Sequence, residues 1–126
     1  MKLKFRLTRP EDFKRVRKEG KSYAHRIMVL VILPSKLVSL RIGITTSHSV
    51  GNAINRNRAR RRIRASVDKI LPSICTGFDI VFVARKQIID VKFGDIFLTM
   101  HSLLEKAGVL VKQEELSGEN WIGLPE

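Results

Sequence analysis

Cysteine is nearly absent from the 126-residue chain, which contains only Cys75. A single cysteine excludes an intramolecular disulfide framework and a zinc site built on several thiolates. Acidic residues are also scarce, with 12 Asp and Glu against 24 Lys and Arg, so the formal net charge is +12. This imbalance favours a polyanionic partner. The lone thiol is typical of a reduced residue in or beside the core of an intracellular protein.

Long hydrophobic runs are missing as well. The longest, at residues 27–33, is far shorter than the run of about 20 residues that spans a bilayer. The first 26 residues mix acids with bases and have no apolar stretch, which argues against a secretion signal. Taken together, these features predict a cytoplasmic protein.

The length suits one domain, which we expect to cover residues 1–111. Residues 112–126 form an acidic tail with four glutamates against Lys112 alone, and no periodicity. This tail, which includes Trp121, is predicted to be a short added strand or partly disordered. The body keeps 23 basic against 8 acidic residues, so we expect the polyanion to contact the body.

No set of residues typical of an enzyme active site is evident. The histidines His25, His48 and His101 are scattered, and each is more readily explained as a surface or satisfied core residue. No paired carboxylates, Ser/His/Asp set, metal-ligand spacing or phosphate-binding Gly-Lys loop accompanies them. His48 is the most interesting, because it precedes a basic segment where it could approach a phosphate. Any chemistry is therefore predicted to come from the partner, and no protein-bound cofactor is expected.

A dense arginine segment at residues 51–64 is the most informative part of the chain. It has six arginines within nine positions and no acid: Arg56, Arg58, Arg60, Arg61, Arg62 and Arg64. A basic run on a helix is often only a solvated face, but such faces normally interleave glutamates at i,i+4. No acid occurs here before Asp68. Because the guanidinium fork binds phosphate in bidentate fashion, the segment favours nucleic acid.

The apolar spacing that continues from this segment predicts an amphipathic helix ending near Pro72. Its stripe consists of Ala59, Ile63, Val67, Ile70, Leu71 and Ile74. At about 100° per residue, one group of polar residues falls on or beside the stripe, namely Arg56, Asn57, Arg60 and Arg64. A second group faces away, namely Arg58, Arg61 and Arg62. Since unpaired buried charges are costly, the first turns should overhang the core and present two basic surfaces.

The flanking segments predict an α/β (α+β) sandwich with helices against one sheet face. A capping box with Thr8 as N-cap should start a first helix that ends at Gly20. Strands are predicted within residues 22–33, 40–45 and 78–84. Asp90 should cap a last helix that closes at Gly108.

The other sheet face is expected to stay open and to form a shallow basic cleft beside Arg56 and Arg60. Phe13 and Tyr23 are candidates to line this cleft and stack on bases, as aromatic residues do in single-strand recognition. The alternative for each is an ordinary core aromatic.

The arginine segment resembles the signature of the bacterial ribonuclease P protein component. Residues 51–54 read Gly-Asn-Ala-Ile, residues 56–58 read Arg-Asn-Arg, and Arg60-Arg61 and Arg64 follow at the family's spacing. The likeness covers roughly residues 5–107. This chain departs from the family where two lysines usually precede the glycine, since it has His48 and Ser49. It departs again at Arg17, where the family often has an aromatic residue.

The resemblance implies a four-stranded mixed sheet with a left-handed βαβ crossover, similar to domain 2 of ribosomal protein S5. It also implies two partners, ribonuclease P RNA and precursor tRNA. The RNA would hold the catalytic Mg²⁺ and hydrolyse the phosphodiester, while the protein binds the single-stranded 5′ leader and offsets phosphate repulsion.

The expected RNA-binding residues are His48, Asn52, Arg56, Asn57, Arg58, Arg60, Arg61, Arg62 and Arg64, and the expected leader-cleft residues are Phe13, Arg17 and Tyr23. Two alternatives remain at this point, an rRNA-binding structural protein and a DNA-binding helix protein. The second lacks a helix-turn-helix pair.

Overall fold

A four-stranded mixed sheet lies between one helix and a pair of helices in the computed structural model, which describes residues 1–111. The expectations for residues 112–126, including Trp121, lie outside the described residues. In chain order the elements are α1 (Pro10–Glu19), β1 (Lys21–Ala24), β2 (Met28–Pro34), β3 (Leu40–Thr46), α2 (Ala53–Ile70), β4 (Phe78–Ala84) and α3 (Phe93–Ala107). The predicted α+β class is confirmed, and the first predicted strand region is two strands.

The strand order β1-β2-β4-β3 makes β1 and β3 the two edges of the sheet. Neighbouring strands are antiparallel except β3 and β4, which are parallel and are joined through α2. The expected left-handed sense of this crossover stays a prediction. No helix within residues 1–111 has the length and apolarity needed to cross a membrane.

Strand alternation divides the core between the two sheet faces. On one face Ile80 is paired with Ile32 and Ile42, and all three belong to the buried cluster that α2 and α3 complete. The predicted stripe of α2 lies in this cluster, including Ile63 and Val67, which have no exposed surface. The stripe of α3 joins it, as predicted.

On the opposite face a smaller cluster surrounds Val16 of α1, which is fully buried against Val31 and Val81. Two helices therefore share one face as predicted, but α1 covers part of the other. The expectation that the second face is open is wrong, because Val31 and Val81 present apolar side chains there that need a partner.

The predicted helix starts need correction. Arg9, not Thr8, is the N-cap of α1, and no side chain caps it. The reason is Pro10, since a residue before proline is driven into the extended region that an N-cap adopts. Asp90 likewise does not cap α3, because the chain makes a short 3₁₀ turn at Lys86–Asp90 and the N-cap falls at Lys92.

The two predicted helix-ending glycines act differently. Gly108 ends α3 in the left-handed conformation with φ of 74°, as the C-terminal position of a helix favours. Gly20 ends α1 with φ of −78°, so positive φ is not its reason. A Cβ on Gly20 would lie 2.5 Å from the carbonyl oxygen of Val16 and 2.8 Å from Val31 Cγ1. Glycine is needed there because α1 turns closely onto β2.

Candidate RNA-binding surface

The start of α2 is fixed by two residues. Gly51 has φ of 115°, a conformation that side chains disfavour, and turns the chain into the helix. Asn52 is the N-cap, and its Oδ1 accepts the backbone N–H of Asn55 at 3.0 Å. His48 and Ser49 are exposed on the preceding 3₁₀ turn. The helix therefore begins at an exposed end of the molecule, with its arginines one turn further on.

Arg58 and Arg61 have the outward placement that the helical projection predicts. Both side chains are exposed, and neither has a hydrogen bond or ion pair with another of residues 1–111. Two unopposed guanidinium groups on the same rigid helix can each bind a phosphate oxygen pair.

Three of the residues predicted to lie on or beside the apolar stripe, Arg56, Arg60 and Arg64, are half-buried, whereas Asn57, predicted with them, is exposed. Arg60 donates a hydrogen bond to Oδ1 of the exposed Asn57, which orients its guanidinium along the helix. Arg64 lines a cavity of about 150 Å³, and its buried Nε has no hydrogen-bond partner in the described part of the chain. This second basic surface therefore lies where α2 meets the edge of the sheet.

Arg62 differs from its expected position. It is half-buried, and its guanidinium donates to the backbone carbonyl oxygens of Ile88, at 3.3 Å, and Val91. Burial, and then the neighbouring charge of Arg58, lowers the pKa of Arg62. The prediction for Arg62 is wrong because α2 packs on more than one side, and the turn after β4 covers the side that carries Arg62. Arg62 is thus engaged within the protein.

The cavity beside Arg64 also brings in α1. Phe13 lines it together with Ile44 of the edge strand β3 and with Arg6 of the N-terminal segment. The ring of Phe13 packs closely on the sheet at Gly43, where an added Cβ would be 2.6 Å from two of the ring carbons. A partly exposed aromatic ring and a guanidinium therefore border one groove at the β3 edge.

The N-terminal segment shapes that groove. The Leu7 N–H donates to the Ile42 carbonyl at 2.9 Å, so residues before α1 run beside β3. Arg17 is exposed on α1 four residues after Phe13, and thus on the same side of the helix. The structure therefore groups Phe13 with Arg64, and Arg17 continues the same side of α1 without lining the cavity.

Tyr23 does not belong to this groove. It pairs with Leu30 across β1 and β2, on the sheet face that packs on α2 and α3, so it lies on the opposite face from Phe13. Its ring is half-buried against that core, and Lys21 Nζ lies 5.4 Å from the ring centroid. The expectation of one cleft lined by both aromatics is wrong, because alternation along β1 turns Tyr23 away.

A second group of arginines surrounds Asp79 and is not predicted by the sequence patterns. Asp79 in β4 is buried, with 1% exposure, and accepts hydrogen bonds from Arg15 at 2.7 Å and from Arg41 at 2.9 and 3.0 Å. Asp12 lies 3.4 Å from Arg15 and 3.7 Å from Arg41. Burial opposes ionisation of Asp79, but the hydrogen bonds from Arg41 and Arg15 outweigh it and lower the pKa of the carboxyl.

This cluster engages Arg15 with acids, so Arg15 does not add a free charge to the surface of α1. A sequence signal existed, namely a single aspartate within the apolar strand Phe78–Ala84. Aspartate is almost never fully buried without a partner. Its place in a buried strand therefore predicts cationic side chains close to it.

The three histidines lie on different elements. His25 Nδ1 accepts the backbone N–H of Ile27 at 3.2 Å, and the His101 ring centroid lies 6.5 Å from that of Phe97. Within residues 1–111, no group of three or more His, Cys, Asp or Glu side chains is arranged to hold a metal ion.

Comparison with known proteins gives a consistent result. A family model described as Ribonuclease P matches residues 1–108. The ribonuclease P protein component of Chloroflexus aurantiacus is 40% identical over 111 residues, which cover 87% of this chain and 82% of that relative.

Two solved structures share the fold. The RNase P protein of Staphylococcus aureus matches with a TM-score of 0.76 and 31% identity, over 84% of this chain and 97% of that one. The RNase P protein from Thermotoga maritima matches with a TM-score of 0.72 and 30% identity, over 80% and 96% respectively. The ribosomal alternative is not favoured by these matches. The arginine pattern of α2, the mixed sheet that supports it and the extent of the family match place the chain in the ribonuclease P protein component family, which serves in removing the 5′ leader from precursor tRNA.

Proposed function

We propose that this protein is the RNA-binding subunit of a ribonuclease P ribonucleoprotein, whose RNA subunit performs the phosphodiester hydrolysis. The observation that carries the proposal is the exposure of Arg58 and Arg61 on a rigid helix with no acidic partner among residues 1–111. Such guanidinium groups gain most when they replace the counterions of a folded polyanion. Ribonuclease P RNA is the polyanion that the family membership indicates.

The groove at the β3 edge is the site we assign to the single-stranded leader of precursor tRNA. Phe13 offers a ring for base stacking, and Arg64 offers a cation for the adjoining phosphate. Arg17 extends the same side of α1. Tyr23 is left out of this assignment because it faces the other side of the sheet.

The Mg²⁺ ions that assist hydrolysis are assigned to the RNA subunit. The protein contributes by lowering the repulsion between phosphates. Its net charge of +12 reduces the electrostatic free energy needed to bring the ribonuclease P RNA and the precursor tRNA together. This effect should be greatest when few metal ions are available to do the same. Transfer RNA processing would place the complex in the cytoplasm.

The test is precursor tRNA cleavage by bacterial ribonuclease P RNA at low Mg²⁺, with and without the purified chain. We expect a clear increase in the cleavage rate, and a smaller increase when the Mg²⁺ concentration is high. A chain with Arg58→Ala and Arg61→Ala is the matched control and should lose most of the increase. A rate no faster than that of the RNA alone would refute the proposal.

A further inference from the structure

Arg62 links α2 to the 3₁₀ turn Lys86–Asp90 that follows β4. Its two terminal nitrogens donate to the carbonyl oxygens of Ile88 and Val91, one within the turn and one just after it. Ile88 is fully buried, so the turn has an apolar anchor as well. A planar guanidinium can hold two carbonyls at once, whereas a lysine ammonium is a point donor on a more flexible stem.

The turn held in this way lies next to the start of α2. The Ser47 N–H donates to the Ala84 carbonyl at 2.9 Å, which places the ends of the parallel strands β3 and β4 side by side. The turns His48–Val50 and Lys86–Asp90, which directly follow these strands, are in contact. The exposed side chains of His48 and Lys86 therefore lie at the same end of strands β3 and β4, near the start of α2.

Lys86 is the available cation of this turn. Arg85 is also exposed, but its guanidinium donates to the His25 carbonyl at 3.0 Å. Lys86 is exposed and forms no ion pair with another of residues 1–111. Asp90 is the one acid of the turn and stands at its far end.

We propose that Lys86 binds a phosphodiester of the RNA partner, and that Arg62 is a positioning residue that holds the Lys86 turn on α2. The RNA surface then has a part outside the helix, and one arginine of the basic segment serves it without touching RNA. This inference rests on the proposed function, since it extends the same RNA surface.

The test measures the affinity of the full-length chain for ribonuclease P RNA over a series of salt concentrations. The variants are Lys86→Gln, Arg62→Met, their combination, and Arg62→Lys, with Arg61→Met as a matched control on the same helix. Thermal unfolding of each variant without RNA checks that it folds. Lys86→Gln changes an exposed side chain, so it tests the phosphate contact even if Arg62→Met fails to fold.

We expect Lys86→Gln to weaken binding by about threefold to tenfold and to reduce the slope of log affinity against log salt by about 0.7–0.9, as loss of one phosphate contact does. Arg62→Met should give a similar loss and a similar change in slope. The combined variant should be no weaker than either single variant, because Arg62 acts through Lys86. Arg62→Lys should behave like Arg62→Met, since it keeps the charge but not the two carbonyl bonds.

Two results would overturn the inference. One is Lys86→Gln binding as tightly as the unchanged chain while Arg61→Met binds more weakly, in which case the proposed function stands and the turn has no role in RNA binding. The other is losses that multiply in the combined variant, together with full retention of affinity by Arg62→Lys, which would mean that Arg62 contacts RNA itself. If Lys86→Gln and Arg61→Met both bind unchanged, the inference is overturned, and the proposed function fails as well if the chain does not increase the cleavage rate.

Discussion

Two groups of arginines in this protein have the same chemistry and opposite surroundings. Arg58 and Arg61 project from α2 with no partner among residues 1–111. Arg15 and Arg41 converge on a buried carboxylate, Asp79, from α1 and β3. The first pair is exposed and unopposed within residues 1–111, whereas in the second pair Arg15 ties α1 to the sheet through Asp79. The position of acidic side chains, rather than the number of arginines, therefore separates the exposed arginines, to which we assign RNA binding, from the structural ones.

Arg62 has surroundings intermediate between those of the two groups. Its partners are carbonyl oxygens rather than carboxylates, so its charge is kept while its hydrogen bonds are used. A basic segment that is uniform in sequence is thus divided into free, engaged and groove-lining arginines by what packs around α2.

The largest effect on stability should come from removing Asp79, the acid shared by Arg15 and Arg41. Asp79→Ala leaves Arg15 and Arg41 without their common partner, and loss of one member of a buried ion pair costs about 3–5 kcal/mol. We expect the low end of this range, because both arginines keep some contact with water and with Asp12. Urea unfolding measures the loss, and Arg61→Ala is the control, with an expected change below about 0.5 kcal/mol. If Asp79→Ala and Arg61→Ala had similar free energies of unfolding, the arginines around Asp79 would have no structural role that the exposed arginines lack.

Removing the two exposed arginines, Arg58 and Arg61, should have a smaller effect, on RNA binding rather than on folding. The double change Arg58→Ala and Arg61→Ala should cost on the order of 1–2 kcal/mol of affinity for ribonuclease P RNA. The salt slope should fall by about 1.4–1.8, as loss of two phosphate contacts requires. Arg15→Ala is the matched control from the other group and should leave the slope unchanged. An equal fall in slope for Arg15→Ala would contradict the assignment.

The sequence predicts much of this arrangement, because the strongest signals are local. The periodic stripe through Ile63 and Val67 predicts α2 and its buried side, and the same projection places Arg58 and Arg61 outward correctly. The arginine pattern and the Gly-Asn-Ala-Ile run before it carry the resemblance to the family, which the family model confirms.

The wrong predictions concern side chains whose position depends on elements distant in the sequence that pack against them. The position of Arg62 depends on a turn 26 residues away in the chain, and no spacing rule within α2 reveals that turn. The prediction for Tyr23 is wrong because neighbouring residues of a strand point to opposite sheet faces, and pairing with β2 sets which face Tyr23 takes. The Asp79 cluster joins residues from three elements, so only the fold brings it together.

The position of α1 can be tested without changing any charge. Gly43→Ala would place a Cβ 2.6 Å from the Phe13 ring and displace it. We expect a stability loss of about 1 kcal/mol, the low end for overpacking, because Phe13 lies at the edge of the core. Cleavage should lose its dependence on the leader while affinity for ribonuclease P RNA is retained. Phe13→Ala should reproduce the loss of leader dependence, and retained leader dependence in both variants would exclude the groove as the leader site.

The smallest effect concerns acid pH and again separates the two arginine groups. The folded-state pKa of Asp79 is lowered, so its ionised form contributes stability that is fully present above the unfolded value of about 3.9. This contribution is lost as the pH falls through the folded pKa, while Arg15 and Arg41 stay charged. The stability difference between the unchanged chain and Asp79→Asn should be constant from neutral pH to about pH 5 and should shrink below about pH 4. Urea midpoints at fixed ionic strength measure this difference, and the Arg61→Ala variant should parallel the unchanged chain throughout. A difference that stays constant down to pH 3 would mean that the arginines near Asp79 do not favour its charge, and the contrast between the groups would then rest on packing alone.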